Sequence, residues 1–211
     1  MFKNNYLCAV LPHRGVAEGK SRLSSVLDQA QRIALNRWLI EHTLRVVINA
    51  LGDAQQCLLV SPCANTLALA RASGARVYCD NGASLNEALN AATREAASFG
   101  AQQVLIVPCD LPLLDATALD AVLALATTFS TVIAPDAHER GTNALLMQAA
   151  TAAFAFGDGS FSRHMAQART RGDTVAVSRH RALTFDLDTP EDYRAWHRDH
   201  AQAGAVSSSL P

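Results

Sequence analysis

Apolar runs of strand length alternate with helix-length segments along most of the chain. The first run, Tyr6 to Leu11, stops at Pro12 and gives way to a basic, glycine-containing stretch ending at Leu23, after which a helix is expected from about Asp28 to Leu51. Gln56 to Val60 predicts a second strand, Asn65 to Ser73 a helix closed by Gly74, and Arg76 to Tyr78 a short strand followed by an Asp80-Asn81-Gly82 turn. Ser84 predicts the cap of an alanine-rich helix running to Ser98. Gln103 to Val107, apolar without a break from Val104 on, reads as a strand covered on both faces. A helix over Ala116 to Ala126 and a strand over Thr131 to Ala134 follow.

The second half is less regular. It predicts strands at Asn143 to Gln148, Thr174 to Val177 and Leu183 to Leu187, a loop over Phe154 to Ser160 that feeds a helix through Arg169, and a last helix opened by Pro190 and reaching about Gln202. Strands alternating with helices at this spacing imply a mainly parallel sheet with helices on both faces, an α/β fold. Ligands on such sheets bind beyond the carboxyl ends of the strands. That places the Leu11–Leu23 loop, the Asp80 turn and Asp110 along one edge.

Composition narrows the class. A chain of 211 residues, 49% hydrophobic and 18% charged, can bury a full core without staples and is not disordered. We expect one domain over 1–203 and a flexible tail over 204–211. With a net charge of −1 and no basic run, neither nucleic acid nor an anionic membrane surface is an expected partner. The apolar runs are too short to span a bilayer, and the N-terminal run reads as a strand rather than a signal peptide. Five cysteines without a C-x-x-C pair suggest reduced thiols in a cytoplasmic protein.

Three groups of residues could carry chemistry. Arg14, Lys20 and Arg22 lie on a loop between a strand and a helix, where backbone N–H groups, the helix dipole and cationic side chains favour phosphate. Gly15 and Gly19 do not have Walker spacing. Asp110, between two prolines after the apolar strand, could hold a divalent cation or serve as a turn or cap aspartate. Asp186 and Asp188, at i and i+2 on the expected strand, would face the same way and call for a cation between them. One of these acids could instead cap the helix that begins at Thr189-Pro190. Three hard oxygen ligands of this kind suit Mg²⁺. Gly157-Asp158-Gly159-Ser160 is a second anion site or a plain serine cap, and His164 behind it could face the pocket. No covalent-nucleophile arrangement is present.

These segments together resemble the 2-phospho-L-lactate guanylyltransferase family of deazaflavin coenzyme F-420 biosynthesis. The matching pieces are Gly19-Lys20-Ser21-Arg22-Leu23 after Pro12, Ser84 to Leu89, Pro108 to Leu113, Gly141 to Leu146, Phe156 to His164, and FDLDTPED at Phe185 to Asp192. The resemblance implies a Rossmann-like, glycosyltransferase-A-like nucleotidyltransferase fold. It also implies transfer of GMP from GTP to 2-phospho-L-lactate, phosphoenolpyruvate or 3-phospho-D-glycerate, with release of pyrophosphate.

Residue by residue, the resemblance places Lys20 and Arg22 on the GTP phosphates, with Leu11, Arg14 and Gly15 on the same loop and Leu85 and Asn86 along the cleft. Thr142, Gly157 and Ser160 would hold the acid, and Asp110, Asp186 and Asp188 would hold Mg²⁺. Lys20, Arg22 and Asp110 would be the catalytic groups. The product would pass to the next enzyme of the pathway, and a homodimer is open. The alternatives are a nucleotidyltransferase for another phosphorylated acceptor, such as a sugar phosphate or cofactor precursor, and a non-catalytic nucleotide-binding module. Relatives usually read P-V-K-P where this chain has Pro12-His13-Arg14-Gly15, carry alanine in place of Gly19 and have a small residue in place of Cys109.

Overall fold

In the computed structural model, which describes residues 6–17, 19–82 and 84–202, seven strands form one sheet in the order β3-β2-β1-β4-β6-β5-β7. The strands are β1 (Leu7–Pro12), β2 (Cys57–Ser61), β3 (Arg76–Cys79), β4 (Gln103–Ile106), β5 (Thr131–Pro135), β6 (Thr142–Gln148) and β7 (Val175–Val177). All neighbours run parallel except β6, which is antiparallel to both β4 and β5. The helices are α1 (Gln29–Leu51), α2 (Ala64–Ala72), α3 (Leu85–Ser98), α4 (Ala116–Leu125), α5 (Ser160–Arg171), α6 (Arg181–Thr184) and α7 (Pro190–Gln202). The proposed tail over 204–211 lies outside the described residues.

Alternation along β1 divides the core. Leu7, Ala9 and Leu11 face a cluster shared with α1, α2 and α4, whereas Cys8 and Val10 face one built on α3 and edged by α5. Helices therefore cover both faces, as the strand–helix alternation predicts. No helix among the described residues is long and apolar enough to cross a membrane. Local caps fall where the residue types favour them. Asp28 and Ser84 each close a capping box with the residue three positions on, Gln31 and Glu87.

One element differs from the sequence reading. Leu183 to Leu187 is not a strand: Arg181–Thr184 is a short helix, and Phe185 to Asp188 run on in irregular backbone. Leu183 and Leu187 are both fully buried, but in different clusters, so the apolar spacing that suggests a strand reflects two separate anchors.

The second anchor positions the site. Leu187 packs with Leu23, Leu27, Leu35, Leu39 and Trp196 in a third cluster joining the turn after Lys20, the start of α1 and α7. Burying each leucine contributes about 1.5–3 kcal/mol, more than an exposed ion pair supplies. The leucines hold this junction, and the charges above them are carried by it.

Candidate active site

The loops at the carboxyl ends of β1 to β4 surround a cavity of about 320 Å³ whose lining includes Arg14, Lys20, Asp80, Leu85, Asp110 and Asp188. Lys20 is its central cation. Its side chain is only 9% exposed, and its Nζ lies 2.8 Å from Asp188 Oδ1 and 3.5 Å from Asp110 Oδ2. Burial alone would push the ammonium down, but Asp110 and Asp188, with Asp186 beyond them, outweigh it and raise its pKa. Lys20 has φ of 52°, left-handed backbone that a non-glycine residue adopts only where its surroundings hold it. Gly19 before it has φ of 97°, backbone that favours glycine, at a position where relatives usually carry alanine.

Asp110 and the 186–188 segment meet through the backbone, because Leu187 N–H donates to the Asp110 carbonyl at 3.0 Å. Neither Asp110 nor Asp188 is spent as a helix cap. Asp115 caps α4, accepting from Ala118 N–H at 2.8 Å, and Asp192 accepts from Thr189 N–H at 2.7 Å at the start of α7. Asp110 Oδ1 is buried without a hydrogen-bond partner. Asp186 is pushed up to about 6, chiefly by burial and then by the carboxylates of Asp110 and Asp188, with Asn143 partly relieving it. The three aspartates thus share one neighbourhood. They are not, however, a preassembled metal centre: among the described residues no three His, Cys, Asp or Glu side chains are grouped to hold an ion, and Lys20 stands between Asp110 and Asp188.

The remaining predicted residues separate into roles. Arg22 sits on the outer rim, 74% exposed and 4.0 Å from Asp188 Oδ2. Leu11 is fully buried in the core and Gly15 is buried beside the loop, so neither offers a side chain to the cavity. Asn86 does not line the cavity either. Its Oδ1 accepts from Phe156 N–H at 2.8 Å and its Nδ2 donates to the Phe156 carbonyl at 3.3 Å, stapling α3 to the second glycine loop.

Thr142, Gly157 and Ser160 form a separate locus. Gly157 is exposed, and Gly159 rather than Ser160 is the cap of α5. The Ser160 hydroxyl, almost completely buried, points instead at Thr142 Oγ1, 3.2 Å away. Thr142 Oγ1 is also 2.9 Å from His164 Nδ1, and His164 Nε2 accepts from Ala155 N–H at 3.0 Å. Arg163 holds the loop from outside, donating to the carbonyls of Ala155 and Asp158.

Sequence reasoning missed His13 as part of the cavity. Its ring is held down to about 4, first by burial and then by Lys20, so it is neutral near pH 7. Its place directly after β1 was the available signal. Cys8, Cys57 and Cys109 are buried, Cys79 is exposed, and none of the five cysteines is in a disulfide. Cys109 packs into the core, and burial pushes its thiol well above the ordinary range.

The family described as "Guanylyl transferase CofC like" matches residues 7–197. The chain belongs to this family. It is 39% identical over 200 residues to a phosphoenolpyruvate guanylyltransferase of Sphaerobacter thermophilus, covering 94% of this chain and 96% of the relative. It is 36% identical to a 3-phospho-D-glycerate guanylyltransferase of Phenylobacterium zucineum, covering 87% of this chain and 86% of the relative. A 2-phospho-L-lactate guanylyltransferase of Methanothermobacter thermautotrophicus is 32% identical, covering 88% and 81%. Among solved structures, a putative nucleotide-diphospho-sugar transferase from Desulfovibrio desulfuricans superposes with a TM-score of 0.77 at 16% identity, covering 98% of this chain and 92% of its own. That likeness establishes a nucleotidyltransferase-type, glycosyltransferase-A-like fold for this guanylyl transferase family member.

Proposed function

We propose that this family member transfers GMP from GTP to the phosphate of a three-carbon phospho-acid, in the biosynthesis of deazaflavin coenzyme F-420. The observation that carries the reading is the cavity at the strand ends, with Lys20 clamped between Asp110 and Asp188. The relatives named above supply the candidate acids, with phosphoenolpyruvate first.

The GTP phosphates would lie along the β1 loop against Lys20 and Arg14, with Arg22 on the rim. The acid would sit at Thr142, Gly157 and Ser160. A phosphate oxygen of the acid attacks the α-phosphorus of GTP, a new P–O bond forms, and the bond to the β-phosphate oxygen breaks. Pyrophosphate carries off the electron pair. The attacking phosphate is already an anion, so no general base is needed, and positioning with charge neutralisation supplies the rate.

The donor set fits Mg²⁺. Asp110 keeps one buried oxygen without a partner, and Asp186 is driven upward first by burial and then by the carboxylates of Asp110 and Asp188. Mg²⁺ takes one or two carboxylates and completes its shell with water and phosphate oxygens, so three preassembled ligands are not required. Asp110, Asp186 and Asp188 would hold it, and when bound it would neutralise charge on the phosphates. A cytoplasmic setting fits the unpaired cysteines, and the diphosphate-linked product would pass to the next enzyme of the route.

The test is pyrophosphate release with GTP and Mg²⁺, offering phosphoenolpyruvate, 3-phospho-D-glycerate and 2-phospho-L-lactate separately, with ATP and CTP as controls. Turnover with GTP and one acid is expected. Silence with all three acids, in protein that still binds GTP, would overturn the acceptor assignment.

A further inference from the structure

The hydroxyl pair at the second locus has a direction, and His164 sets it. A backbone N–H can only donate, so the 3.0 Å bond from Ala155 N–H makes His164 Nε2 an acceptor without a proton. A neutral imidazole carries one N–H, which must then be on Nδ1, and that N–H donates to Thr142 Oγ1 at 2.9 Å. Burial, with Arg163 and Arg171 adding to it, pushes the ring down to about 4, in keeping with the neutral form.

The hydrogen count follows. Thr142 and Ser160 bring two O–H hydrogens, and one is used in their 3.2 Å contact. His164 consumes an acceptor position on Thr142 and supplies none in return. One hydroxyl hydrogen is therefore left over, with no acceptor among the described residues. In that contact the Ser160 hydroxyl donates to Thr142 Oγ1, so the surplus hydrogen is the threonine's. The opposite tautomer would make Nδ1 an acceptor, turn the Thr142 hydrogen inward and leave no surplus.

We propose that His164 is a positioning residue that turns the Thr142–Ser160 pair into a hydrogen donor aimed at an anionic oxygen, carboxylate or phosphate, of the acceptor. The inference rests on the reading of this locus as the acceptor subsite. The donor is a neutral hydroxyl kept in one orientation by a histidine that the fold keeps unprotonated at Nε2.

Two measurements test it. In wild-type protein labelled with ¹⁵N-histidine near pH 7, the His164 resonances (assigned by their loss in His164→Asn) should show a protonated Nδ1 and an unprotonated Nε2. They should also shift when phosphoenolpyruvate is added. A protonated Nε2 overturns the proposal whatever the enzyme turns over, and so does a resonance indifferent to the acid in protein that turns it over. In steady-state kinetics, His164→Gln leaves an amide near Nε2 and removes the donor to Thr142, so the acid KM should rise about ten-fold. The GTP KM should stay within about two-fold of wild type, and His164→Asn, which keeps an amide near Nδ1, should fall closer to wild type. An unchanged acid KM in His164→Gln, or both KM values rising together, overturns it. Absence of turnover with every acid, with the Nδ1–H tautomer observed, would instead fail the functional reading and leave the hydroxyl polarity standing.

Discussion

On the proposed function, the β1 loop and the second glycine loop would take anions in opposite ways. At the β1 loop the groups are formal charges: an ammonium between two carboxylates, in a cavity open enough to line with Arg14, Asp80 and Leu85. At the second loop they are buried hydroxyls linked to a histidine, with no cation hydrogen-bonded to them among the described residues. The difference matches what the proposed function would ask of each. Phosphates that lose a bond need charge compensation that strengthens as the leaving group departs, whereas a small acceptor needs orientation more than charge. Charge at the first locus is only partly offset at rest, since the single ammonium of Lys20 faces both Asp110 and Asp188.

That contrast can be broken by substitution. Asp110→Asn removes a charge from the ionic locus but keeps its shape. Turnover should fall by about a thousand-fold while the melting temperature moves little. Survival of activity would remove Asp110 from the chemistry. Lys20→Met should cost about a hundred-fold in kcat/KM. It should also tighten Mn²⁺ binding in the absence of nucleotide, measured by calorimetry, because the carboxylates lose their resident cation. Weaker Mn²⁺ binding would show that Lys20 and the ion do not compete.

At the neutral locus, Ser160→Ala should raise the acid KM about ten-fold and leave the GTP KM alone. Equal effects on both would merge the two loci. The smallest effect concerns stability against pH. Asp186 stands at about 6 against an ordinary 3.8. Because the folded value is the higher, the stability tied to its proton is complete below about pH 3.8 and is lost as pH rises through about 6. Asp186→Asn should therefore melt higher than wild type near pH 7 and converge with it near pH 4, followed by thermal unfolding without added metal. A gap independent of pH would show that Asp186 is not desolvated among its neighbours.

Much of the frame was legible because it depends on local pattern. The run at Gln103 to Val107, apolar from Val104 on, is a central strand, and Ser84 and Asp28 cap where their chemistry allows. Asp186 and Asp188 do share a neighbourhood, but not because they alternate on a strand. The irregular 185–188 segment is held by Leu187 in a cluster with Leu23 and by a backbone bond to Asp110, contacts between residues far apart in the chain. No local pattern encodes such partners. The role of Asn86 was hidden for the same reason: its partner, Phe156, is 70 residues away. Ser160 follows a glycine loop as a cap would, and only the position of Thr142 shows where its hydroxyl points.

The Lys20–Asp188 contact joins positions 168 residues apart. A ribosome therefore finishes the β1 cradle long before it makes the residues that complete it. Closing a contact over so long a separation costs chain entropy, though that cost grows only slowly with length. Fragments that end before Leu187 would lack both the leucine that seats α7 and the carboxylate that holds Lys20. Such a fragment would carry the β1 loop without Asp188, the carboxylate 2.8 Å from Lys20, and so would lack part of the proposed reaction centre.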